Sequence, residues 1–261
     1  MSTANEREEF LKKAKAAVKK EFQRQDLSVM QAVRSIDDLD HAKNVIYTRV
    51  LEWFKLNFPE IDLPNEEVLC KIVAVFGKKE NLEYTTLADM AGEVKAAELI
   101  ELAEKSFGAE LTSEDSEALK ELASGAYNLF ATRNKVEKYV GSVAKTAFPN
   151  LAYLLDPLLA ARLVTIAGGL ERLAKMPAST IQLLGAEKAL FKHLRRGTKP
   201  PKHGIIFQSP LVRNAKEGNR GKMARTLGAK LALAARADFY TGNFIAEKLK
   251  QSMEKREKDV K

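Results

Sequence analysis

The chain has 261 residues, 45% of them hydrophobic and 30% charged, a balance that excludes a disordered or membrane-embedded class and leaves room for one large domain or two ordinary ones. Its formal net charge of +8 hides an asymmetry: residues 151–261 hold 22 Lys and Arg against 9 Asp and Glu, net +13, while residues 1–150 hold 21 against 26, net −5. No run approaches the roughly 18 apolar residues that span a bilayer, and the charged opening MSTANEREEFLKKAKAAVKK lacks the apolar core and cleavage site of a secretory signal, so a cytoplasmic location with no membrane contact is expected.

Residues 5–54 contain neither Gly nor Pro and predict one long helix. Val29, Val33, Ile36, Asp40, Lys43, Tyr47, Val50 and Phe54 recur along it at coiled-coil spacing, with polar interruptions. Pro59 and Pro64 end that helix. A short helix follows over EEVLCKIVAVF, capped by Asn65 and closed by Gly77. Its Cys70 is the only cysteine, which excludes an internal disulfide and reads as a buried structural thiol. Another helix is predicted over 86–107, closed by Gly108. LTSEDSEALKEL then carries a capping box at Thr112 or Ser113 and opens a second long helix. The seam of that helix, Leu119, Leu122, Ala126, Leu129, Arg133, Val136, Val140, Val143 and Ala147, keeps strict 3,4 spacing. Two heptad helices joined by a helical excursion at about 55–112 predict an antiparallel coiled-coil arm over 1–150, with Arg133 meeting Asp40 across it.

Pro149 and Pro157 bracket a change of composition, placing the boundary to a second, helical domain near residue 150. GIIFQS is the one run with strand-like alternation, and the fold class is all-α. The last residues, KLKQSMEKREKDVK, alternate charges without an apolar stripe and predict a fraying solvated helix or tail, with 251–261 as a charged tail.

The charge of the second half is concentrated. Residues 175–236 contain 14 Lys and Arg but only two acids, Glu187 and Glu217, and a one-signed field of that kind attracts polyanions, nucleic acid above all. Taking a helix from about Gly185, the rotation of about 100° per residue places Lys188, Lys192 and Arg195 on one stripe and Leu183, Leu190 and Leu194 on the opposite side. An ordinary surface helix would mix Glu among those lysines. The loop TKPPKHG follows, its consecutive prolines holding Lys199, Lys202 and His203 extended. The next helix adds Arg220, Lys222, Arg225, Lys230 and Arg236, of which Arg236 reads as structural; its small residues Ala224, Gly228 and Ala235 invite close helix packing.

Catalytic patterns are weak by comparison. The three histidines, His41, His193 and His203, have no Cys or carboxylate companions at metal-ligand spacing. AGGLERL does not have the spacing of a phosphate-binding loop, and Ser179 and Thr180 have no base spaced to activate them. Neither an enzyme, a metal nor a cofactor is expected.

The run LERLAKMPASTIQLLGAEKALFKHLRRGTKPPKHGIIFQSPLV, continuing through RGKMARTLGAKLALAARADFY, resembles the signature of the Nop domain. IDDLDHAKNVIYTRVLEWFKLNFPE resembles the coiled coil that precedes that domain in archaeal box C/D ribonucleoprotein core proteins. The resemblance implies a noncatalytic scaffold, with the Nop domain over 151–250. In that family the Nop domain binds box C/D guide RNA together with a small kink-turn-binding protein, and the coiled coil self-associates. The partner fibrillarin uses S-adenosylmethionine to methylate ribose 2′-hydroxyls. By the same resemblance, Gly185, Ala186, Glu187 and Lys188 contact the guide RNA. Lys175, Ala178, Lys202 and His203 lie at the kink-turn and its protein, and Leu119, Leu122, Leu129, Val136 and Val140 form the seam of a homodimer. Family members usually carry a fibrillarin-docking domain ahead of the coiled coil, whereas this sequence opens at the coiled-coil helix, which leaves fibrillarin binding open. A spliceosomal relative with the same two parts, a general nucleic-acid-binding protein and an RNA-modifying enzyme are the alternative readings.

Overall fold

The computed structural model of the protein describes residues 7, 9, 11–15 and 24–260, and among them there are helices and no strand. Most of the expected helix before Arg24 lies outside the described residues. Thirteen α-helices follow from Gln25: α1 (Gln25–Asn57), α2 (Glu66–Phe76), α3 (Tyr84–Ala91), α4 (Glu93–Lys105), α5 (Ser113–Ala147), α6 (Pro149–Leu154), α7 (Pro157–Ala167), α8 (Leu170–Lys175), α9 (Ala178–Leu183), α10 (Glu187–Arg196), α11 (Pro210–Arg213), α12 (Arg220–Arg236) and α13 (Ala246–Val260). GIIFQS, read as strand-like, is instead a 3-10 turn over Ile205–Gln208. None of the described helices is long and apolar enough to cross a membrane.

The chain forms two compact units, Ser35–Val136 and the described residues up to Arg34 together with those from Glu137 on. The boundary expected at 150 differs from this division, and the part of the difference that lies before Ser35 has a local reason. Asp26 is buried, accepts the backbone N–H of Leu170 at 3.0 Å and pairs with Arg24 at 2.9 Å. Arg24 in turn reaches Glu171 at 3.2 Å, so the start of α1 belongs with α8.

In the unit 35–136 the caps follow the sequence. The Asn65 side chain accepts the N–H groups of Glu67 and Val68, and Gly77 ends α2. Thr112 accepts the N–H of Asp115 and donates its hydroxyl to the Asp115 carboxylate. The helix expected over 86–107 is two helices, because Gly92 adopts φ +86°, a conformation other residues resist. Phe54, Phe58, Ile72 and Leu99 pack with Leu119, Ala123, Ala126 and Phe130 in one core. Cys70 lies inside it, and burial pushes its thiol pKa up to about 12, which keeps it inert at neutral pH.

Asp40 meets Arg133 at 3.2 Å, and Lys43 lies 4.8 Å above the Phe130 ring, three residues on along α1 and three back along α5, as an antiparallel pair requires. The two contacts form a half-buried polar layer. A double-mutant cycle of Asp40→Ala and Arg133→Ala, read by denaturant unfolding, should give a coupling energy of about 0.5–1 kcal/mol; zero coupling would make the contact incidental.

The seam of α5 is corrected at every second position. Leu119, Ala126 and Val140 are fully buried, but Ala123, Phe130 and Ala144 are buried where Leu122, Leu129 and Val143 were expected, and those three, with Val136 and Ala147, are only half-buried. Adjacent apolar pairs such as Leu122–Ala123 leave the choice to packing, and the small alanines allow the closer helix approach.

In the other unit, the buried side chain of Asn150 ties three segments together. Its amide donates to Asp238 at 2.7 Å and to the carbonyl of Asn243 at 2.9 Å, and its oxygen accepts the N–H groups of Ile245 and Ala246, capping α13. Asp238 also accepts the N–H groups of Asn150 and Leu151, both at 3.0 Å. Burial pushes the Asp238 carboxyl up, and those donors oppose the shift. Of the solvated helix or tail expected at the end of the chain the structure has a helix, α13, which continues to Val260; the expected lack of an apolar stripe is corrected, since Ala246, Leu249 and Met253 form a buried one at 3,4 spacing.

Candidate nucleic-acid interface

Helix α12 carries the candidate interface. Met223, Ala224, Leu227, Leu231, Ala234 and Ala235 bury one side of it, and Gly228 lets α9 approach so closely that a Cβ there would stand 3.1 Å from the Ala178 carbonyl. Arg236 donates to the carbonyl of Ala174 at 3.2 Å, the structural role its position suggested. The opposite side is left to Lys222 and Arg225, both exposed.

Against α9 and α12 lies the proline-stiffened loop. Gln182 donates its amide to the Lys202 carbonyl at 2.7 Å, and the N–H groups of Gly204 and Ile205 donate to the carbonyls of Gln182 and Leu184 at 2.8 and 2.7 Å. Only glycine fits at 204, where a Cβ would stand 1.9 Å from the Leu184 carbonyl oxygen. The loop is thus pinned in place, and it forms with α12 a groove of about 460 Å³ lined by Lys199, Lys202, Lys222 and Arg225, with Gln182, Gly218 and Gly221 also at its wall. Three of the expected RNA contacts, Lys199, Lys222 and Arg225, converge here with Lys202, expected at the kink-turn and its protein.

His203 and Arg220 take a different arrangement. The imidazole of His203 stacks on Phe207, with centroids 4.5 Å apart, and the Arg220 guanidinium lies 5.5 Å from the same ring. Burial, then the charges of Arg220 and Lys202, hold the His203 pKa below its ordinary value. At neutral pH His203 is therefore an uncharged stacking surface beside the cations. Phe207 was not recognised in the sequence, because its neighbours read as a strand.

The basic stripe of α10 is present, with Lys188, Lys192 and Arg195 all exposed, but its apolar counterpart does not pack into the core. The helix begins at Glu187 rather than Gly185, and none of its residues is buried. Phe191 is 59% and Leu194 70% exposed, while Leu183 ends the preceding helix α9. Gly185 and Ala186 form the turn between them, and the Glu187 carboxylate accepts the Gly185 N–H at 2.7 Å, so the acid of GAEK holds its own turn. At the far end the His193 ring donates to the Thr198 carbonyl, fixing the entry to the proline loop. Lys175 closes α8, paired with Glu171 at 2.6 Å, and Ala178 is half-buried under α12; neither lines the groove. Among the described residues no group of three or more His, Cys, Asp or Glu could hold a metal ion.

The groove, the stacked ring pair and the exposed stripe together offer phosphate contacts and a base-stacking platform. Residues 35–259 match the family model Nop, described as "snoRNA binding domain, fibrillarin". The chain is 39% identical over 267 residues to an uncharacterized NOP5 family protein of Methanocaldococcus jannaschii, covering 98% of this chain and 64% of that protein. It is 37% identical over 217 residues to nucleolar protein 58 of Candida albicans and 38% identical over 215 residues to nucleolar protein 58 of Schizosaccharomyces pombe, in each case 82% of this chain and 42% of the relative. The chain thus spans less than two thirds of the length of these relatives. A solved structure, described as a fibrillarin/Nop5p complex, matches with a TM-score of 0.60 at 24% identity over 98% of this chain and 77% of that one, a likeness of fold. With its sequence matched from residue 35 to residue 259, the chain belongs to the Nop family of NOP5 and Nop58 proteins.

Proposed function

We propose that the chain is a noncatalytic scaffold of a box C/D guide ribonucleoprotein that directs RNA 2′-O-ribose methylation. Its basic unit binds guide RNA together with a kink-turn-binding protein, and its arm self-associates. The observation that carries this reading is the convergence of Lys199, Lys202, Lys222 and Arg225 on one pinned groove, followed along the chain by Arg220 and His203 at the Phe207 ring. Methyl transfer from S-adenosylmethionine belongs to fibrillarin in this scheme, and the scaffold supplies placement. Of the expected self-association seam, Leu119 and Val140 are fully buried within the chain, so a homodimer would rest on Leu122, Leu129 and Val136.

A composite RNA and protein surface predicts cooperativity: guide RNA should bind far better once the kink-turn-binding protein is on it, whereas a general nucleic-acid binder gains nothing from that protein. Titration of the chain into kink-turn RNA with and without the protein separates the two.

A further inference from the structure

We propose that the groove between α12 and α13 is a second phosphate path, carrying the RNA backbone onward from the loop groove along α12 and against α13. This rests on the RNA-binding reading of the basic unit and extends it to a segment that the sequence presents as a solvated helix or charged tail.

The groove has a volume of about 640 Å³ and is lined by Arg225 and Lys230 of α12 and by Lys248, Lys255 and Arg256 of α13, with Gln251 and Ser252 between them. Arg225 lines the loop groove as well, so the two are continuous through one side chain. From Lys222 to Lys230 the basic side of α12 runs about 12 Å.

The composition of α13 does not require a basic face. It holds five Lys and Arg and four Glu and Asp, enough acid to neutralise most of its own cations. Rotation of about 100° per residue instead sorts most of them. Lys248, Gln251, Ser252, Lys255 and Arg256 fall within about 140° of one another, Glu247, Glu254 and Glu257 lie outside that arc, Asp259 near the helix end falls within it, and Ala246, Leu249 and Met253 form the buried side. Residue 251, three beyond Lys248 and four before Lys255, is where a glutamate would pair with both lysines; it is Gln. No ion pair holds Arg225, Lys230, Lys248 or Lys255 among the described residues. No carboxylate lines the groove, so the charges of Arg225, Lys230, Lys248 and Lys255 are left for an outside anion.

The wall is fixed rather than frayed. Asn150 caps the first turn of α13, and Leu249 and Met253 anchor the next two. A protein partner would look for an apolar centre in such a groove; Ala229 is its only apolar lining residue. Cations with neutral hydrogen-bonding groups between them suit a sugar-phosphate backbone.

The test uses the full chain carrying Lys230→Ala, Lys248→Ala and Lys255→Ala together, alongside a loop-groove variant with Lys199→Ala, Lys202→Ala and Lys222→Ala. The probe is a box C/D kink-turn RNA carrying its kink-turn-binding protein, with affinity followed against salt. The first variant should melt like the wild type and flatten the log K against log salt slope by about two to three, at 0.7–0.9 for each phosphate no longer neutralised. An unchanged slope in that variant, with a flattened one in the loop-groove variant, overturns the second path and leaves the RNA-binding reading standing. Unchanged slopes in both overturn that reading too. If the first variant keeps its RNA slope but loses an acidic protein partner, the groove is a protein site and the proposal is wrong.

Discussion

Replacing Lys188, Lys192 and Arg195 together by alanine is expected to weaken guide-RNA binding by about 100-fold at 0.1 M salt and to flatten the salt slope by about two to three. The size follows from counterion release: leaving three phosphates without their cations removes about 0.7–0.9 each from the slope, and curves that converge near 1 M salt separate by about two log units at 0.1 M. All three side chains are exposed and α10 buries none of its residues, so stability should move by no more than about 0.5 kcal/mol. Filter-binding or fluorescence anisotropy over a salt series, beside a thermal melt, measures both. An unchanged slope would mean that the stripe is merely a solvated face.

The largest effect on folding is expected at Asn150. Changing it to alanine strands the Asn243 carbonyl and the N–H groups of Ile245 and Ala246, and removes one donor from Asp238. Losing a helix cap and leaving several buried polar groups unsatisfied should together cost about 3–4 kcal/mol. For a chain of this size that corresponds to a fall in Tm of roughly 6–15 °C. Asn150→Asp keeps an oxygen for the α13 cap but sets a carboxylate against Asp238, whose carboxyl burial already pushes up, so it should also be destabilised. A melt within about 2 °C of wild type for the alanine variant would show that the Asn150 hydrogen bonds are replaceable.

Asn150 also shows where sequence reading stops. The features legible in the chain are local or periodic: the long helices, the Asn65 and Thr112 caps, the Asp40–Arg133 pair at matching interruptions, and the basic stripe of α10. Those that escaped depend on partners distant in sequence. A buried Asn that joins residues 88 to 96 positions away leaves no periodic trace. The α5 seam was half legible because Leu122–Ala123 and Leu129–Phe130 are adjacent apolar pairs, and periodicity alone does not choose between neighbours. In α10 the amphipathic pattern is real, but Phe191 and Leu194 face solvent, since amphipathicity states which residues share a face and not what covers it. In α13 a buried stripe escapes notice because Ala246, Leu249 and Met253 are few and stand among many charges. The basic residues of the candidate interface are legible singly, from composition. Their convergence on the loop groove, and the stacking of His203 on Phe207, required the fold.

The most direct test of the scaffold account is the affinity of the chain for a kink-turn guide RNA, measured at one salt concentration with and without the kink-turn-binding protein bound to that RNA. A composite surface predicts binding at least about tenfold tighter with the protein present, a coupling of about 1.4 kcal/mol. Equal affinity in the two measurements would contradict it and make the basic unit a general polyanion binder.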